Sequence, residues 1–195
     1  MSAHRKLATR GIVLARHAAG EGSARVMFYT ESLGLVTALA KSAREERSKL
    51  RPHLMAGTMG TFSFVQGRDV WRVTGATATA NIYFELGERA AAREAAARLL
   101  SALRQFVHGE GNDLRLFEIL SAFFLALPSL AEADIAQAEC VAMLRVLSAL
   151  GYVQEGPETA EFLPAAYDPA LLGRARQARP ALVRVVNEAI AASGL

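Results

Sequence analysis

Five cations recur at intervals of two or three residues in one stretch of the chain: Lys41, Arg44, Arg47, Lys49 and Arg51. Only Glu45 and Glu46 oppose them, and Leu50 is the one large apolar residue among them. A segment of that composition cannot be core, so it faces water or a polyanion. Ser42, Ser48 and His53 interleave with the cations and add donors suited to phosphate oxygens, which favours a polyanion over a merely solvated face. The chemistry these residues offer is electrostatic binding of a backbone, with no bond made or broken.

Two cations in the preceding segments, Arg16 and Arg25, extend the same assignment to phosphates. Aromatic side chains supply a second possible contact, base stacking, worth about 1–3 kcal/mol per base where it occurs. Phe28, Tyr29, Phe62, Phe64 and Trp71 read first as core. Of these, Tyr29 and Trp71 are the stacking candidates: Tyr29 shares a strand face with Arg25, and Trp71 lies between Asp69 and Arg72 beside threonine-rich sequence.

Short strands must position these residues. Ile12, Val13 and Leu14 within Thr9 to Arg16 favour a pleated strand. After the AAGEG break, Ala24 to Thr30 puts Val26 and Phe28 on one face and Met27 and Tyr29 on the other. A turn at Ser32 to Gly34 leads to a third strand, GLVTALAK, ending at Lys41. Beyond the basic segment, Thr58 to Gln66 aligns Phe62 with Phe64. A turn at Gly67 to Asp69 opens a fifth strand, Asp69 to Ala80, in which Gly75 predicts a bulge. Five strands in about eighty residues predict a five-stranded OB-fold barrel, with an SH3-like barrel as the alternative. The basic segment then connects strands three and four.

From Asn81 the regime changes. Glu85 to Val107 is alanine-rich with Leu99, Leu100, Leu103, Phe106 and Val107 at helical spacing, and predicts one long amphipathic helix. Leu114 to Leu127, capped by Asn112 or Asp113, is apolar nearly all round and predicts a central helix. A third helix from about Glu132 to Leu150 should end at Gly151. Asp168 can cap a short helix through Leu171 and Leu172, and Pro180 opens a last one. Arg174, Arg176, Arg179 and Arg184 form a smaller basic patch that reads as ordinary solvated helix surface. The fold class is therefore α+β, with an OB domain over residues 1–80 and a helical domain over residues 81–195.

Charge follows the same division. Residues 1–80 hold 12 Lys+Arg against 5 Asp+Glu, net +7, while residues 81–195 hold 10 against 14, net −4. One half is built to meet an anionic partner. Cys140 is the only cysteine, which excludes a disulfide or a cysteine-based zinc site within the chain and fits a reducing cytoplasm; mid-helix among apolar residues, it reads as a small hydrophobe. The amino terminus lacks the pattern of a signal peptide, and no run of about 18 apolar residues predicts a membrane span. GxxxxGK[ST], GxGxxG, HExxH and GxSxG do not occur, and His4, His17, His53 and His108 stand far apart, so no catalytic residue, metal or cofactor is expected.

The order GIVL, GEG, V-x-F-Y-T, turn, GLVTALAK and a Ser- and Arg-containing basic run resembles the amino-terminal OB domain of the RecO family of bacterial recombination mediators. LLSALRQFVHGEGNDLRLFEILSAFFLAL is similar to that family's first helical hairpin. MLRVLSALGYV is similar to the helix ending in Leu-Gly-Tyr, here Leu150, Gly151 and Tyr152. The resemblance covers about residues 9–153. Members often follow Leu-Gly-Tyr with a four-cysteine zinc module, whose cysteines this chain lacks. They also often place Arg, Phe and Glu ahead of it, where Cys140, Ala142 and Met143 stand here; in some members that helix helps receive the acidic tail of single-stranded-DNA-binding protein.

The resemblance implies a non-enzymatic factor of DNA repair and recombination in the RecF pathway. Such a factor binds single- and double-stranded DNA, anneals complementary strands and assists recombinase loading onto coated single strands. Its implied partners are RecR and single-stranded-DNA-binding protein, with RecA as a further candidate, in a cytoplasmic, nucleoid-associated setting. A protein-interaction adaptor whose barrel and helices bind acidic peptides or subunits is the alternative from another class.

Overall fold

The computed structural model describes residues 6–68, 70–109, 111–164 and 166–194. His4 and Asp69, named above, lie outside the described residues. Five strands, β1 (Lys6–Ala19), β2 (Ser23–Thr30), β3 (Gly34–Ala40), β4 (Thr58–Gln66) and β5 (Trp71–Asn81), close into a barrel in the order β1-β2-β3-β5-β4. β1 closes it by pairing antiparallel with both β2 and β4, and β3 runs parallel to β5. This is an OB-type barrel, as the strand count predicts.

β1 is longer than the predicted Thr9 to Arg16 because its two ends serve different neighbours. Lys6 to Ile12 pairs with β4, and Gly11 to Ala19 with β2. The register slips by one residue at Leu14 in β1 and beside Gly75 in β5, where Ser63 faces Gly75 and Phe64 faces Val73. Bulges of this kind give the extra bend a small closed sheet requires. Gly60 is fixed by close approach: a Cβ there would lie 2.2 Å from the carbonyl oxygen of Thr77 on β5. Gly34 opens β3 at φ +66°, a backbone region open to glycine, as the β2–β3 turn requires.

Alternation decides what the barrel buries. Ala24, Val26 and Phe28 of β2 point inward with Val36, Ala38 and Ala40 of β3, Phe62 and Phe64 of β4, and Trp71 and Val73 of β5. The rings interlock: Phe28 lies 4.9 Å from Phe62 and 5.2 Å from Phe64 between centroids, and Trp71 meets Phe64 edge-on at 6.4 Å. Such pairs contribute about 0.5–1.5 kcal/mol beyond the area they bury.

The helices are α1 (Ile82–Leu86), α2 (Ala90–Phe106), α3 (Leu114–Ala126), α4 (Ile135–Ala149), α5 (Pro169–Gln177) and α6 (Arg179–Ala192). The single helix predicted from Glu85 to Val107 is in fact two, because Gly87 takes φ +54° and breaks the run. The helix that packs against α2, α5 and α6 is α4, not the apolar α3, whose Leu125 is 62% exposed. α4 ends as predicted at Gly151, φ +81°. The Tyr152 amide donates to the Leu147 carbonyl and the Gly151 amide to that of Ser148, a Schellman closure. Asp168 caps α5 by accepting from the Leu171 amide at 2.8 Å.

Two compact units result. One comprises Met1–Glu85 with His108–Leu114; the other comprises Leu86–Val107 with Arg115–Leu195. The division is thus discontinuous in sequence, where composition suggested a single boundary after Ala80. His108–Leu114 belongs with the barrel, where the Tyr29 hydroxyl donates to the Asp113 carbonyl and a Cβ on Gly34 would collide with the backbone of Gly111.

Candidate nucleic-acid interface

The basic segment leaves β3 at Ala40 and forms a succession of turns before a short 3-10 turn at Arg51–His53. Two buried anchors, Ala43 and Leu54, pin its ends into the barrel core, with Leu50 packed beside them. Between the anchors the backbone closes on itself, Glu45 amide to Ser42 carbonyl, Ser48 to Glu45 and Arg51 to Ser48, which holds the side chains outward. Lys41, Arg44, Arg47, Lys49 and Arg51 are all exposed.

The β1–β2 turn supports the segment from below. The Arg44 amide donates to the Gly22 carbonyl at 2.9 Å, and its guanidinium donates to that of Gly20 at 3.0 Å. Glu45 lies over Gly22, where any Cβ would come within 3.0 Å of its carboxylate. This second support has no counterpart in the sequence pattern, which offers only a glycine-rich turn some twenty residues away.

Arg16 takes part differently from its neighbours. It is half-buried, donating to the Ala43 carbonyl at 2.9 Å and to that of Arg51 at 3.5 Å, so it braces both ends of the segment. Burial pushes its pKa below the ordinary arginine value, and the charges of Arg51 and Arg44 push it further. Three guanidiniums therefore gather around one site. Arg16 supplies field and support, while the exposed cations supply contact.

Arg25 is exposed on the outer face of β2. The register places it opposite Leu39 of β3, and Leu39 opposite Arg72 of β5. Arg72 in turn faces Val65 of β4, and Val65 faces Lys6 of β1. Sequence inspection misses Arg72 and Lys6 because a parallel pairing between β3 and β5 carries no local signature.

Tyr29 and Trp71 are not available to stack on bases. Tyr29 does point outward, with Arg25, but it is 1% exposed and its hydroxyl is held by the Asp113 carbonyl at 3.4 Å. Burial first, and the Asp113 carboxylate second, raise its pKa to about 12. Trp71 points into the barrel and is 5% exposed. With Phe28, Phe62 and Phe64 also inside, every aromatic ring on the described strands is buried. His53 is half-buried, its Nδ1 accepting from the Ala78 amide at 3.4 Å.

What distinguishes the segment is that its cations are not consumed. Lys41, Arg47, Lys49 and Arg51 make no side-chain hydrogen bond or ion pair among the described residues, and Arg25, Arg72 and Lys6 make none either. In the helical unit the arginines of the smaller patch are spent internally. Arg174 pairs with Glu161 at 2.7 Å, Arg176 with Asp134 at 2.6 Å and Arg184 with Glu158 at 3.1 Å, while Arg179 donates to the Ala136 carbonyl. Arg98 is likewise held by Glu139 and Glu94, which raise its pKa.

Among the described residues no group of three or more His, Cys, Asp or Glu is placed to hold a metal ion, and no helix is long and apolar enough to cross a membrane. Cys140 is half-buried, and that burial raises its thiol pKa.

The fold and the charge together define a class of domain: a closed OB-type barrel that carries an uncompensated cationic segment on its surface. The match within that class is specific: residues 1–82 fit the family model described as recombination protein O N terminal. The chain is also similar to a DNA repair protein RecO of Alkaliphilus metalliredigens (strain QYMF), at 28% identity over 112 residues. That alignment covers 57% of this chain and 45% of the relative, so it spans under half of the relative's length.

Proposed function

We propose that this chain is a non-enzymatic DNA repair and recombination factor whose barrel binds single- and double-stranded DNA through the phosphate backbone. In this reading it anneals complementary strands and assists recombinase loading onto strands coated with single-stranded-DNA-binding protein. RecR, single-stranded-DNA-binding protein and RecA are its proposed partners. The observation that carries the reading is a contrast between two basic patches: Lys41, Arg47, Lys49 and Arg51 on the barrel segment are exposed with no ion pair among the described residues, whereas Arg174, Arg176 and Arg184 of the helical unit are each paired with a carboxylate. The family match of residues 1–82 supports it independently.

Annealing on such a surface needs no catalytic group. Positive charge screens the repulsion between two phosphate backbones and raises the local concentration of both strands. Because the strand aromatics are buried, a bound strand keeps its base faces free to pair. The test is fluorescence anisotropy of a labelled single-stranded oligonucleotide titrated with the full chain at several salt concentrations. A linear fall of log affinity with log salt is expected, at about 0.7 per phosphate contacted. Absence of binding at low salt removes the physical basis of the reading.

A further inference from the structure

We infer that the DNA path does not end at the basic segment but continues around the barrel wall, along Arg25, Arg72 and Lys6; this rests on the DNA-binding reading above. The register supplies the continuity. Starting at His17 on β1, one row of outward residues passes through Arg25, Leu39, Arg72 and Val65 and returns to β1 at Lys6. Cations stand on alternate strands, β2, β5 and β1, with the half-buried aliphatic side chains of Leu39 and Val65 between them. At an inter-strand spacing of about 4.8 Å, successive cations stand about 10 Å apart across the wall, within reach of one another's neighbouring phosphates for side chains as long as Arg and Lys.

Three observations make this row more than scattered surface charge. None of the five strands contains an aspartate or a glutamate, so the row itself carries no carboxylate. The one strand arginine that is ion-paired, Arg10, meets Glu31 at 2.6 Å and lies outside the row, whereas Arg25, Arg72 and Lys6 are exposed and make no ion pair among the described residues. The row also joins the basic segment directly. Leu39 sits between Arg25 and Arg72, and Lys41, the first cation of the segment, follows two residues later, exposed just past the end of β3.

A linear, acid-free array suits an extended polyanion with regularly spaced charge. An acidic protein tail would be served by the compact segment alone. The path also leaves the β2–β3 face, crosses β5 and β4, and ends at the opposite end of β1, so it demands a ligand long enough to wrap.

The experiment compares the full chain with two variants, K6Q/R25Q/R72Q on the wall and K41Q/R44Q/R47Q in the segment, using labelled oligothymidylates of graded length at several salt concentrations. Emission of Trp71, buried in the barrel, checks that each variant is folded. The wall variant is expected to lose about two units of salt slope on long single strands, at about 0.7 per contact, and to need a longer oligonucleotide for full affinity. The lysine variant R25K/R72K is expected to restore the slope. If the full chain binds and the wall variant keeps its slope at every length, the path ends at the segment and this inference fails while the DNA-binding reading stands. If the full chain binds no oligonucleotide, that reading fails and takes this one with it. If polyglutamate of equal charge displaces the oligonucleotide equally well, the wall is a docking face for acidic protein instead.

Discussion

Arg16 on β1 donates to the main-chain carbonyl of Ala43 at 2.9 Å, and through this bond the barrel wall holds the first turn of the cationic segment. Its second bond, to the Arg51 carbonyl, holds the last. A charge-assisted hydrogen bond of this kind contributes about 1.5–3 kcal/mol where it is sheltered, and Arg16 is half-buried. R16A is therefore expected to free the segment while leaving the barrel folded. Limited trypsin digestion reads this out, because cleavage after Lys41, Arg44, Arg47 or Lys49 should accelerate several-fold, while the Arg51–Pro52 bond resists trypsin in either case. Unchanged protection would show that the buried anchors Ala43 and Leu54, with the bonds of Arg44 to the β1–β2 turn, fix the segment without Arg16.

Replacing Lys41, Arg44 and Arg47 by alanine should lower affinity for a single-stranded oligonucleotide and flatten the salt dependence by up to about two units, at about 0.7 per contact. The matched control is R174A/R176A/R184A. Those arginines are already paired with Glu161, Asp134 and Glu158, so the control should leave the salt slope unchanged. It should instead lose a little stability, about 0.2–1 kcal/mol for each exposed pair. Equal losses of slope in the two variants would show that binding follows total charge and not the barrel segment.

Much of the barrel is legible in the sequence, and the reasons are local. Alternation of Val26 and Phe28 against Met27 and Tyr29 fixes which way β2 faces, and Gly75 marks the bulge in β5. What alternation leaves open is whether an outward residue is covered. Tyr29 points away from the core, yet His108–Leu114, some eighty residues later, supplies the carbonyl of Asp113 that receives its hydroxyl. The same holds for charge. Nothing near Arg176 announces Asp134, 42 residues earlier, so a paired patch and a free one look alike in sequence. Helical periodicity also runs smoothly through Glu85 to Val107, and only the positive φ at Gly87 shows that two helices share it.

Trp71 is the only tryptophan and lies in the barrel core against Phe64, so it reports the fold and not the ligand. Its emission should be that of a shielded indole and should stay unchanged as oligonucleotide is added to saturation. Quenching on binding would mean that the indole leaves the core to stack on a base. Truncation, W71A, removes a large buried ring and is expected to destabilise by about 3–5 kcal/mol.

The backbone at Gly34 offers a sharper test of how the barrel is closed. At φ +66°, any L-residue carries a strain of roughly 1–2 kcal/mol. A Cβ there would also fall 2.0 Å from the carbonyl oxygen of Gly111. G34A should therefore destabilise by more than the conformational term alone, because the His108–Leu114 segment must move away from the barrel. G111A, by contrast, meets nothing within 4 Å and should be nearly neutral. Chemical denaturation of the two variants measures the difference.

Alkaline pH probes the two buried phenols. Burial is the first cause at both Tyr29 and Tyr167, and raises each to about 12, against an ordinary tyrosine near 10. Between those values the unfolded chain releases a proton that the folded chain retains, so the unfolded state binds fewer protons and stability falls as pH rises. The contribution is fully present below pH 10 and is lost on the way to about pH 12. Y29F and Y167F should each soften this alkaline loss, and spectrophotometric titration should show one fewer late-ionising phenol in each. For Y29F the loss of the hydrogen bond to Asp113 acts in the opposite direction below pH 10, at about 0.5–1.5 kcal/mol. The Y29F and wild-type stability curves should therefore converge as pH rises through 10 to 12, and parallel curves would show that Tyr29 ionises as freely as an exposed phenol.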